Sequence, residues 1–174
     1  MTEDEMRSRL MSLTALSARY CQTLEHSADY EKDEFIALML DFLPRIYWEF
    51  SDLSAEDAPG SAEFSYFPEY VDEDYYESIR RNVEGLLGPD DVFLETFEED
   101  MKYSDTPVAA SISESLADIF QPIFNFISNV KESGGENAPD AFRECKENFI
   151  SYWSQTLCNV MRALNNLRYN PSNQ

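Results

Sequence analysis

From Asp140 to Asn170 the chain contains neither glycine nor proline. Along that stretch Phe142, Cys145, Phe149, Tyr152, Trp153, Thr156, Val160, Ala163 and Leu167 recur at spacings of about three and four residues. Such a period belongs to a helix with one broad buried face. A face that broad must be covered by other elements, so this feature commits the chain to packed helices.

Proline and glycine divide the remainder into four further helical stretches. The first is expected from about Glu3 to His26, with Met6, Leu10, Leu13, Tyr20 and Leu24 on its apolar face. The second runs from about Glu31 to Phe50 on a stripe of Phe35, Leu38, Phe42 and Ile46. Pro44 falls within it, removes a backbone donor and predicts a kink or local break near Leu40 to Asp41. The third starts where Asp72 can cap, with Glu73 and Asp74 facing the positive end of the helix dipole. Gly88-Pro89 ends it. The fourth is expected to start at Thr106 as cap, with Pro107 at the first helical position, and to stop at Gly134-Gly135. Its stripe is Val108, Ile112, Leu116, Ile119, Ile123, Phe126 and Val130, and Pro122 predicts a second kink. The expected fold is therefore all-α: one domain over 1–174, an irregular bundle of about five helices, two of them proline-kinked. An acidic, aromatic-rich connection is expected at 51–70. A loop is expected at 89–106, with an extended piece near Val92 and Leu94.

The 43% hydrophobic and 14% aromatic content is too high for a disordered chain and sufficient for a sizeable core. The 34 acidic residues against 13 basic ones give a net charge of −21. That field repels phosphate backbones and anionic lipid, which argues against direct nucleic-acid or membrane binding. The charge is uneven: residues 52–105 hold 17 acidic and 3 basic side chains, net −14. Solubility is the simplest use of such an excess. No apolar run approaches the ~20 residues of a membrane span, and the acidic start "MTEDEM" does not resemble a signal peptide. Cys21, Cys145 and Cys158 are odd in number and widely spaced, which argues against a disulfide framework or a zinc site. A cytoplasmic location is the expectation.

Helix four carries the most specific polar pattern. Ser111, Glu114, Asp118, Gln121, Asn125, Ser128 and Glu132 repeat at steps of three and four. These are mostly small neutral residues where a solvated face in an acidic protein carries Glu and Lys. A plain surface face and a central helix with neighbours on several sides both fit, and the central helix is the expectation. Asp105, Ser111, Glu114 and Asp118 form a candidate polar site. Glu114 and Asp118, four apart, repel unless a cation lies between them. They could be half of a divalent-metal site, or could pair with Arg143 or Arg162 from the last helix, and the structural ion pair is the expectation. The lone His26, with Thr23 three residues before it, excludes di-iron Glu-x-x-His chemistry and disfavours Ser-His-Asp and Cys-His catalysis. No phosphate-binding glycine motif occurs. Tyr66, Tyr70, Tyr75, Glu95, Glu98 and Glu99 form a candidate interaction surface in the acidic middle third.

The run "LLGPDDVFLETFEEDMKYSDTPVAASISESLADIFQ", with the earlier "YVDEDYYESIR", resembles the bacterial domain-of-unknown-function family numbered 5063. The order of features is similar over nearly the whole chain: Tyr-Cys in the first helix, Leu-Pro in the second, and "ECKENF" with a Trp in the last. The resemblance implies a small, mostly helical, cytoplasmic bacterial protein and brings no activity, cofactor or catalytic residue. The functional expectation is a non-enzymatic interaction or adaptor module that meets a basic protein partner. The alternative is a divalent-metal-dependent hydrolase of a phosphorylated small molecule, with Glu114 and Asp118 as ligands. Mimicry of nucleic-acid charge is a third reading.

Overall fold

A computed structural model describes residues 1–56, 67–95 and 108–170. Helix α1, Glu3–Glu25, opens with a reciprocal cap. The Glu5 amide donates to Thr2 Oγ1 at 3.2 Å, and the Thr2 amide donates to the Glu5 carboxylate at 2.8 Å. A 3₁₀ turn, Ser27–Asp29, leads into α2, Lys32–Asp52. Helix α3, Glu73–Leu87, starts as its sequence predicts, with the Tyr75 amide donating to Asp72 Oδ1 at 2.8 Å. Gly88 ends it at a φ of 58°, a conformation that disfavours any side chain. Pro44 and Pro122 lie inside α2 and α4, and both helices continue through them.

Helix α4, Ile112–Glu132, begins five residues later than expected. Ser111 is its cap, and Ala109–Ser111 form a short strand, β2. It pairs antiparallel with β1, Val92–Leu94, in the register Val92↔Ser111 and Leu94↔Ala109. The expected loop at 89–106 thus carries a 3₁₀ turn, Gly88–Asp91, and a strand at its extended piece. The helix start is set by Asp91. This buried carboxylate accepts the Ser113 amide and the Ser113 hydroxyl, both at 2.7 Å. Negative charge at a helix N-terminus is stabilised by the dipole and the free amides there. Asp91 is thus the acid at the start of α4; Asp105, Thr106 and Pro107 lie outside the described residues.

The long last helix is one rod with a wider turn inside it. Helix α5, Ala138–Asn148, passes through a π turn, Phe149–Trp153, into α6, Ser154–Tyr169. The extra residue per turn moves the buried face. It runs through Phe149, Trp153, Leu157, Val160 and Leu164. Tyr152, expected on that face, turns outward at 58% exposure, and Thr156 is only partly buried.

Helix α4 is central, packing against α1, α3, α5 and α6. Helix α2 closes the bundle on α1 and α6. Phe50 of α2 sits among rings from the other elements. Its centroid lies 5.5 Å from Phe142, 5.0 Å from Trp153 and 6.0 Å from Phe126. Offset and edge-on aromatic contacts of this kind add to the area they bury. Cys21 and Cys145 are buried core residues, and burial pushes both thiols up in pKa.

Candidate functional site

The polar stripe of α4 meets different neighbours at its two ends. Near the N-terminus Ser111 is a cap, its Oγ accepting the Glu114 amide at 3.2 Å. Glu114 itself is exposed. One turn on, Asp118 is bound by two phenols. Tyr76 of α3 donates to Oδ1 at 2.6 Å, and Tyr152 of the π turn donates to Oδ2 at 3.2 Å. The π turn thus aims Trp153 into the core and Tyr152 at this carboxylate. Burial, and then the Asp118 carboxylate, hold the Tyr76 phenol far above its usual pKa. Among the described residues Asp118 is therefore met by tyrosine rather than by the expected arginine. Arg162 donates to the Leu94 carbonyl at 2.5 Å, and Arg143 pairs with Asp140 at 2.8 Å. Among the described residues no three His, Cys, Asp or Glu side chains converge to hold a metal ion.

Further along α4 the small polar residues hold a passing segment of backbone. Asn125 Oδ1 accepts the Tyr70 amide at 2.7 Å. Asn129 Nδ2 donates to the Pro68 carbonyl at 3.3 Å and to the Asn125 carbonyl at 2.8 Å. Residues 67–70 are thereby strapped across the helix. This accounts for Asn125 in the stripe and for Asn129 beside it: both face peptide groups, where Glu or Lys would leave donors or acceptors unmatched.

The strap forms one wall of a groove of about 100 Å³ between α4 and α5. Phe67, Pro122, Phe126, Ala141 and Cys145 line its apolar part, and Glu69 and Glu144 line its polar part. Glu144 stands at the exposed rim, where desolvation against the wall, then Glu147 and Glu69, hold its carboxyl above the ordinary range. No cation lies within ion-pair distance of Glu69, Glu144 or Glu147 among the described residues. On the other side of the strap a depression of about 340 Å³ takes in Tyr70, Glu132 and Asn137.

The family of domains of unknown function DUF5063 matches residues 5–170. The chain belongs to this family. The crystal structure of protein BF1032 from Bacteroides fragilis is similar to this DUF5063 chain, with 29% identity, 94% of each chain covered and a TM-score of 0.78. No curated protein matches the chain.

The DUF5063 bundle brings some of the sequence-predicted residues together and separates others. Ser111, Glu114 and Asp118 share one flank of α4. Glu95 follows β1, and its carboxylate accepts from Asn159 of α6 at 2.7 Å. Asn159 is seven residues, or two turns, beyond Tyr152, so Glu95 stands about 10 Å along the rod from the Asp118 pair. Tyr70 is on the strap, beside the groove. Tyr75 is a packing residue, edge-on to Phe120 and Phe124 at 5.6 and 5.4 Å. Burial and the nearby Glu25 push its phenol up. Tyr66, Glu98 and Glu99 lie outside the described residues. The sequence reading missed Asp91, Tyr76, Tyr152 and Glu144 as polar actors. The signal for Asp91 was available in Ser-Ile-Ser-Glu, a cap pattern at 111–114 that competes with Thr106-Pro107. Nothing local in sequence marks Glu144, whose acidic neighbour Glu69 arrives from 75 positions away.

Proposed function

We propose that this DUF5063 protein is a non-enzymatic interaction module that receives a basic protein partner at the groove beside residues 67–70. The observation that carries the reading is Glu144. Its carboxyl is desolvated on one side, pushed up by Glu147 and Glu69, and has no described cation to offset it. A partner's Lys or Arg supplies that charge, while its aliphatic stem lies along Phe67, Pro122 and Phe126. The net −14 of residues 52–105 steers such a partner from a distance.

The test is a pull-down from cell extract at low and high salt, with wild type beside a Glu69→Lys/Glu144→Lys variant. The reading expects a partner kept at low salt, weakened at high salt and lost from the variant. No partner at either salt, or equal retention by the variant, overturns it. The salt dependence is informative because rim charges act mainly through screened, long-range attraction.

A further inference from the structure

A second concavity has the opposite chemistry. It is a cleft of about 520 Å³ where α1, the 3₁₀ turn and α2 meet. Arg19, Gln22 and Thr23 of α1 line one side, His26, Asp29 and Tyr30 of the turn another, and Leu38 and Phe42 of α2 form the floor. Three observations set it apart. Arg19 is exposed and has no carboxylate within ion-pair distance among the described residues, in a chain of 34 acids. Its guanidinium lies 5.2 Å from the Phe42 ring centroid, so a cation is held over an apolar floor. The chain's single histidine stands on the same rim, its Nδ1 3.8 Å from Asp29. The remaining polar lining, Gln22, Thr23 and Tyr30, carries neutral amide and hydroxyl groups.

We propose that this cleft is a binding site for a small organic anion with a flat apolar body. The anionic head, carboxylate or phosphate, takes the free fork of Arg19, which presents paired N–H donors to two oxygens. Gln22 and Tyr30 offer further donors at the same mouth. The body lies against half-buried Leu38, with Phe42, only 2% exposed, backing the floor beneath the Arg19 guanidinium. Asp29, across the rim beside His26, disfavours a second negative charge there, so the ligand carries its charge at one end. Few convergent polar groups over an apolar floor is the usual make-up of a small-molecule site. The site shares no lining residue with the acidic groove, so each reading stands or falls alone.

The test uses simple probes and the one histidine. With a single imidazole in the chain, its proton resonances are unambiguous reporters of occupancy. Benzoate and phenyl phosphate are titrated into the full chain, with inorganic phosphate and benzylamine as the head-only and reversed-charge arms. The expected result is a saturable shift of the His26 signals with benzoate or phenyl phosphate. Inorganic phosphate binds at least about tenfold more weakly and benzylamine gives no saturation. Arg19→Gln is expected to weaken the better probe by about tenfold or more, the scale of a lost charge-assisted pair. Arg19→Lys, which keeps the charge without the fork, falls between them, and Arg7→Gln leaves binding unchanged. The proposal is overturned by any one of three results: no saturation with either aryl anion, equal binding of inorganic phosphate or benzylamine, or undiminished affinity in a folded Arg19→Gln protein.

Discussion

The two ends of α4 handle carboxylates in opposite ways. At the N-terminal end Asp91 accepts two hydrogen bonds from Ser113, and Asp118 accepts one from each of two tyrosines. Beside the C-terminal half, Glu69 and Glu144 line a groove, with the Glu147 charge acting on Glu144 and no described counter-charge. The first arrangement lowers the energy of the folded chain. The second raises it, because like charges are held near one another and partly out of water. Where a marginally stable protein keeps such an arrangement, binding is a sufficient physical reason: a cationic partner removes the cost on contact.

The comparison is broken most directly at Asp91. Replacing this buried acid with alanine strands the Ser113 amide and hydroxyl and removes the charge from the helix end. Asp91→Ala is expected to cost about 3 kcal/mol, or roughly 6–12 °C in Tm for a chain of this size. Glu69→Ala, at the exposed strap, is expected to stay within about 0.5 kcal/mol of wild type. Urea denaturation of both variants measures the difference. Equal costs would mean that the two ends of α4 are not distinct.

A smaller effect sharpens the same contrast at Asp118. Tyr76→Phe removes the 2.6 Å phenol bond and keeps the packing of the ring. The expected loss is about 1.5–3 kcal/mol, the range for a hydrogen bond to a charged acceptor. In a double-mutant cycle with Asp118→Asn, a coupling of about 1 kcal/mol is expected. Coupling near zero would show that Asp118 is a solvated carboxylate that the tyrosines merely approach.

The same two regions show how far the sequence could be read. Helical period and the Gly-Pro breaks located the helices, because burial of an apolar face dominates the energy of a bundle. Asp72 was legible as a cap because its partners lie within one turn of chain. The start of α4 was not legible from Thr106-Pro107, since a buried acid 22 positions before Ser113 decides it. The shift from Thr156 to Leu157 on the buried face was equally hidden, because a π turn leaves no mark in composition. The neutral stripe of α4 pointed correctly to a central helix. Its partners, the 67–70 backbone and two tyrosines, come from other elements, and a period carries no information about them.

The smallest expected effect is the one that separates stability from binding. The Glu144 carboxyl titrates above the ordinary glutamate value of 4.5 in the folded chain, through burial first and then Glu147 and Glu69. A raised acid pKa means that the folded state holds this proton more tightly than the unfolded one. As pH climbs from the unfolded value through the folded one, this group therefore removes stability, and the loss persists at neutral pH. Glu144→Gln mimics the protonated form. It is expected to raise Tm by about 1 °C at pH 7, and the gain should vanish below about pH 4, where both states are protonated. Thermal melts of wild type and variant across that range measure it, and a gain independent of pH would assign the effect to something other than charge. The same substitution is expected to weaken retention of a basic partner, because it removes the charge that the partner's cation meets. A variant that is more stable alone and poorer in complex is the signature of an acid kept for binding, and one that is better in neither respect would return Glu144 to the ordinary surface.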